Sequence, residues 1–249
     1  MIHVLDPEQL TGRARTHVVE VAGAGCTLHR SAAGAFLALR EAATRDGIGL
    51  TALSTFRDFD RQLRVWNEKF RGQRPLLDRE SRPLDLSQMC DEAIVRAILH
   101  WSALPGASRH HWGTEIDVID RCALPAGAPA RLLPADFAPS GPFARLDAWI
   151  GEHAVRFGFF RPYDRDRGGV QPEPWHLSYA PIAHAALPDL TPDVLAGALA
   201  GVAIEGAAVI GRELGAIHAR YVCAVAHPGE VALAAARIPW EISPAARPS

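Results

Sequence analysis

Two short segments constrain this chain more than anything else in it, because a fold must bring them together for their chemistry to count. Ser108-Arg-His110-His-Trp-Gly113-Thr-Glu-Ile-Asp117 offers an imidazole and a carboxylate seven residues apart. Glu173-Pro-Trp-His176 offers a second imidazole, with another carboxylate three residues before it. Three nitrogen or carboxylate ligands plus one open position is the pattern of a hydrolytic zinc site. Ligands so far apart in sequence converge only on strands or sharp turns. Either segment alone would read as a histidine and a carboxylate exposed on a loop and a strand.

Periodicity indicates which elements could bring them together. A strand is expected at 17–21, a helix at 31–46 with Ser31 as its N-cap, and a strand at 48–54. A helix over 58–70 follows, then a polar loop over 71–86 and a helix over 87–101. Residues 113–120 fit a strand, placing Glu115 on the same side as Asp117 and opposite Ile116. Residues 121–142 hold five prolines and read as a long surface loop. A helix over 143–157, a strand carrying EPWHLSY and a helical hairpin (192–200 and 206–222) complete the pattern, with Thr191-Pro192 as a helix start. The last dozen residues, with three prolines, are expected to form a loose tail.

Composition excludes several function classes. A formal net charge of −2 gives no field to attract nucleic acid or an anionic membrane. The four cysteines lie far apart with no C-x-x-C pair, which excludes zinc ribbons and thioredoxin-like chemistry and leaves four reduced, mostly buried thiols as the expectation. Basic residues are nearly all arginine, with Lys69 the sole lysine. The most apolar stretch, 194–211, is interrupted by Glu205 and reads as helical hairpin, so no membrane span is expected. The N-terminal residues lack a basic segment followed by an apolar run, so the expected location is the cytoplasm.

The first segment resembles the S-x-H-x-x-G-x-A-x-D signature of the zinc D-Ala-D-Ala carboxypeptidase and dipeptidase family. That family includes the vancomycin-resistance enzymes and the bacterial L,D- and D,D-carboxypeptidases. The second segment resembles the family's E-x-W-H motif, and Phe56-Arg57-Asp58-Phe59-Asp60-Arg61-Gln62 resembles its Y-R-S-x-x-x-Q segment. All three occur in the family's order. The resemblance implies that His110, Asp117 and His176 bind Zn2+ and that Glu173 is the proton-transferring base. It also implies that Arg57 stabilises the oxyanion or the substrate's carboxylate. Ser108 and Gln62 would contact the peptide near its C-terminus, and Trp175 would pack beside His176 or touch substrate.

The implied substrate is a muropeptide ending in D-Ala. A tetrapeptide cut after meso-diaminopimelate (an L,D-cut) is favoured over a pentapeptide cut between two D-residues, which points to cell wall recycling. The competing readings are a peptidoglycan endopeptidase of the same superfamily and a zinc-binding module without catalysis, for which Glu173 would have no use. The chain departs from the family where Glu115 replaces a small alanine and where Phe56 and Asp58 replace tyrosine and serine. Glu115 could tune substrate choice, support the ligands, or point to solvent. His111, beside the expected ligand, reads as a residue at the pocket rim or in solvent. The expected fold is α+β: a small, mainly antiparallel sheet carrying the zinc site, with helices packed on one side. A catalytic domain over 1–186 would be followed by a hairpin and tail over 187–249, covering the sheet or making a dimer contact.

Overall fold

The computed structural model of the protein describes residues 5–235. The expected C-terminal tail and His3 lie outside them. In chain order the elements are α1 (Pro7–Leu10), β1 (Val18–Val21), β2 (Cys26–His29), α2 (Arg30–Arg45), β3 (Leu50–Ser54), α3 (Phe59–Phe70), α4 (Asp91–Leu99), β4 (Glu115–Asp120), α5 (Pro134–Phe137), α6 (Ala144–His153), β5 (Phe159–Phe160), β6 (His176–Tyr179), α7 (Ala180–Asp189), α8 (Pro192–Leu199), α9 (Ala207–Ile217) and α10 (Glu230–Ala234). The fold is α+β. Strands β3, β4, β6 and β5 form an antiparallel sheet in that order, and β1–β2 is a separate hairpin.

The sheet's register is what makes the site. Asp117 pairs with His176, and Glu115 with Ser178, across β4 and β6. Period-2 alternation then puts these four side chains on one face and Ile116, Val118 and Leu177 on the other. That apolar face is buried with Phe36 and Leu39 of α2 and Leu146 and Ile150 of α6. A register irregularity between Ala52 and Ser54 sets Ser54 opposite Asp117 at the site end of β3, a position where bulges commonly re-aim side chains.

A second core joins Trp66 of α3, Ile94, Val95 and Ile98 of α4, Leu195 of α8, and Val209 and Ile210 of α9. The expected C-terminal hairpin is therefore present as α8 and α9. It packs on α3 and α4 and does not cover the sheet. Polar contacts fix its turn: Trp66 Nε1 donates to the Glu205 carbonyl at 3.0 Å, and Asn67 bonds both the Ala203 carbonyl and the Glu205 amide.

Local chemistry explains where the boundaries differ from expectation. Helix α2 is capped by His29, whose Nδ1 accepts from the Ser31 amide at 3.1 Å, so Ser31 lies within the helix and is not its cap. Helix α3 starts after Asp58, whose carboxylate accepts from the Arg61 amide. The region before α4 forms a 3-10 turn (Leu86–Gln88), and α4 itself begins only at Asp91. Three of the four cysteines (Cys90, Cys122 and Cys223) are exposed, against the expectation of buried thiols. No helix among the described residues is long and apolar enough to cross a membrane.

Candidate active site

His110 leaves a 3-10 turn (Arg109–Trp112) that ends on Gly113, whose φ is +68°. A Cβ at Gly113 would lie 2.5 Å from Val18 Cγ1 and 2.7 Å from the His29 amide nitrogen, so only glycine fits there. His110 Nδ1–H donates to the Thr55 carbonyl at 2.7 Å, which turns Nε2 toward Asp117, 3.3 Å from Oδ2. His176 Nε2–H donates to Glu115 Oε2 at 2.7 Å, which leaves Nδ1 facing Asp117 (3.0 Å to Oδ1) and Glu173 (3.3 Å to Oε2). One ligand atom from each of His110, Asp117 and His176 lies within 4.8 Å of the others, and all three residues are buried.

These residues suit a metal ion. Asp117 Oδ1 is buried without a hydrogen bond, a costly arrangement unless a cation takes up its charge. Burial disfavours the charged form of His176, but the carboxylates of Asp117, Glu115 and Glu173 around it outweigh this and raise its pKa well above the usual value. Burial likewise opposes ionisation of Asp117, yet the two imidazoles beside it hold its pKa far below the carboxylate range. A cluster so rich in negative charge, with two imidazole lone pairs turned inward, matches the donor set of zinc.

Glu173 sits between Pro172 and Pro174, which stiffen the backbone on both sides. Its amide donates to the Tyr163 carbonyl at 3.0 Å, and its own carbonyl accepts from the His176 amide. Arg57 is held from both ends. Its amide donates to the His110 carbonyl, and its carbonyl accepts from His111 Nδ1 at 2.5 Å. Its guanidinium donates to Gln62 Oε1 at 2.7 Å and Ser54 Oγ at 3.1 Å.

A cavity of about 260 Å³ opens beside these groups, lined among others by Arg57, Ser108, His110, Asp117, Glu173, Trp175 and His176. Gln62 does not line it. Its side chain is wholly buried and is consumed by Arg57 and by the Ala103 carbonyl, so it orders Arg57 where a peptide contact was expected. Trp175 stacks on Trp101 with ring centroids 6.5 Å apart and packs on Phe137.

His111 is no rim residue. It is buried, Nε2 accepts from the Gly106 amide at 3.2 Å, and burial pushes its pKa down to about 3, so the ring is a neutral tie to the Arg57 backbone. Glu115 is wholly buried and orients His176. Besides His176 it accepts from Ser178 Oγ (2.7 Å), Thr114 Oγ1 (2.9 Å) and Arg109 (3.3 Å). Burial opposes its charge, but the Arg109 guanidinium and these bonds hold its pKa down to about 2.

Sequence reasoning passed over Arg109, Tyr163 and Lys69. Arg109 is buried over Trp112 (4.7 Å to the ring centroid), Tyr163 packs edge-on against His176 at 5.0 Å, and Lys69 reaches the cavity wall. No motif marks Arg109 or Tyr163. The signal for Lys69 was its being the sole lysine.

Comparison with known proteins identifies a family for this chain. The family model for VanY, D-alanyl-D-alanine carboxypeptidase, matches residues 25–182, which include Arg57, Ser108, His110, Asp117, Glu173 and His176. An uncharacterized protein of Haemophilus influenzae is 43% identical over 103 residues, covering 40% of this chain and 70% of that protein. A D-alanyl-D-alanine carboxypeptidase of Enterococcus faecalis is 27% identical over 150 residues, covering 59% of this chain and 46% of that protein. Among solved structures, a Zn(II) complex of a mutant vancomycin resistance D,D-pentapeptidase VanY, from a VanB-type resistance cassette, is 23% identical. It covers 69% of this chain and 82% of that chain, with a TM-score of 0.48.

Proposed function

The chain belongs to the VanY D-alanyl-D-alanine carboxypeptidase family, and from that premise we propose that it is a zinc-dependent carboxypeptidase releasing the terminal D-Ala of peptidoglycan peptides. The observation that carries this reading is the meeting of three buried ligands with a fourth, non-ligating carboxylate on one cavity. His110 through Nε2, Asp117 through its carboxylate and His176 through Nδ1 would hold the ion. Bound there, Zn2+ would supply Lewis acidity to the scissile carbonyl and lower the pKa of water to about 7.

The chain's own residues do the rest. Glu173 takes a proton from the attacking water and returns one to the departing amino group. Arg57, ordered by Gln62 and Ser54, meets the oxyanion that develops on the carbonyl; one such fixed donor is commonly worth about 10²–10³ in rate. Ser108 and Trp175 border the space where the peptide's end would lie. The presence of Glu173 favours turnover over a binding module.

The test is to incubate the zinc-loaded protein with a synthetic muropeptide tetrapeptide and a pentapeptide, and to follow D-Ala by mass spectrometry. We place the L,D-cut of the tetrapeptide first, with cell wall recycling in the cytoplasm as the matching role, to be checked by activity in fractionated cells. Release from the pentapeptide alone would make the enzyme D,D-specific. Release from neither, or release that survives a chelator, would overturn the reading.

A further inference from the structure

Arg57 and Lys69 carry the cavity's positive charge apart from Arg109, which is committed to Glu115. They differ in their partners. Arg57 is bound by Gln62 and Ser54 and feels the nearby charges of Asp117 and Glu173. The Lys69 ammonium donates to one neutral group, Ser102 Oγ at 2.7 Å, and has no ion-pair partner among the described residues. An ammonium drawn from water into a cavity wall is costly unless something anionic meets it there. Arginine supplies every other basic residue, and a compact point charge stands at this one position.

The placement of Lys69 is specific too. Gln62 and Lys69 lie seven residues apart on α3, hence on the same face, about 10 Å apart along the axis. Their side chains land on consecutive residues of the opposite wall, Gln62 on the Ala103 carbonyl and Lys69 on Ser102. The two cations thus flank one continuous strip of wall. At its scissile end, a peptide ending in D-Ala offers such a pair of cations two anionic features: the developing oxyanion, and the permanent carboxylate of the residue about to leave.

Building on the carboxypeptidase reading, we propose that Lys69 and Ser102 form the subsite that grips the terminal carboxylate of the substrate. Arg57 is thereby left to the oxyanion, and Lys69 is what makes the enzyme require a free chain end. Burial pulls the lysine's pKa down to about 8, the nearby Glu173 charge opposing this, so the group is still mainly cationic at neutral pH.

The experiment uses the zinc-loaded full chain and matched peptides ending in D-Ala, one with a free carboxylate and one with a C-terminal carboxamide. Wild type should prefer the acid strongly. Lys69→Met should raise KM for the acid by about tenfold or more, with little change in kcat, leave the amide unaffected, and bring the acid-to-amide ratio toward unity. Lys69→Arg should keep part of the preference. Ser102→Ala, which retains the ammonium, should show a smaller rise in KM. Lys69→Met should melt no lower than wild type, since it removes an uncompensated charge.

An unchanged acid-to-amide ratio in Lys69→Met overturns the proposal. So does an equal loss of kcat on both peptides with a shifted pH profile, which would mean that Lys69 acts through Glu173. A loss that disappears when lysine replaces diaminopimelate in the peptide would assign Lys69 to the side-chain carboxylate, and also overturns it. If wild type releases D-Ala from no peptide, the carboxypeptidase reading itself fails. The subsite is then decided by calorimetry: N-acetyl-D-alanine, but not its amide, should bind wild type and not Lys69→Met, and equal binding to both proteins refutes it.

Discussion

His176 shares its two ring nitrogens between two tasks, and much of the site's chemistry follows from that division. Nε2–H is taken by Glu115, which fixes the tautomer and leaves Nδ1 for a cation beside Asp117. Outer partners of this kind commonly change metal affinity about 10–100-fold when mutated. Glu115→Gln, which can still accept from His176 but lacks the charge, should therefore weaken zinc binding by about tenfold or more, read by competition with a chromogenic chelator. Unchanged affinity would mean that Glu115 serves only to neutralise Arg109. In the sequence, His110, Asp117, Glu173 and His176 were legible because their residue types and spacings suit one chemistry. The facing of Glu115 was legible from strand alternation, but its role was not, because its partners Arg109 and Ser178 lie on other elements. The tie of Gln62 to Arg57 was hidden for the same reason: nothing in a linear motif shows that both ends of its amide are engaged.

The elements owe their arrangement to a few local devices. Gly113 ends the turn that delivers His110, in a conformation that disfavours any side chain and with β1 and β2 closing over the space a Cβ would need. Gly113→Ala should cost at least about 2 kcal/mol, from left-handed backbone strain and the clash together. Urea unfolding measures it, and a loss below about 0.5 kcal/mol, the scatter of ordinary surface substitutions, would contradict the assignment. Long periodic helices such as α2 and α3 were legible in outline. Strand β5 was not, because a run of two residues carries no readable alternation, and β2 was not, because it runs directly into α2 at Arg30. Helix α7 was hidden by Pro181 in its first turn and Pro188 near its end, which read as loop punctuation.

For the whole molecule, two cores meet at the site: α2 and α6 back the sheet, while α3, α4 and the hairpin α8–α9 form the core beside the wall that bears Arg57 and Lys69. The hairpin was legible from Thr191-Pro192 and its apolar spacing. Its docking on Trp66 and Asn67 was not, since those contacts span more than 130 residues. Two buried neutral histidines tie the halves together: His111, and His17, which lies 2.9 Å from the His111 carbonyl. Burial lowers the pKa of both rings from 6.5, that of His111 to about 3. Below pH 6.5 the unfolded chain binds protons that the folded rings refuse, so stability should rise with pH from about 3 to 6.5 and be lost on acidification across that window. The slope should approach about 1.4 kcal/mol per pH unit for the His111 ring. Melting temperatures measured across this range, flatter in a His111→Asn variant, check it; an equal slope in the variant would contradict it. The most direct test of the proposed activity is Glu173→Gln, loaded with zinc and assayed for D-Ala release from the tetrapeptide beside wild type. The expected result is full zinc content with activity reduced by about 10²–10⁴. A variant that binds zinc and cleaves as fast as wild type would show that Glu173 does not move the proton, and the assignment of the site would be wrong.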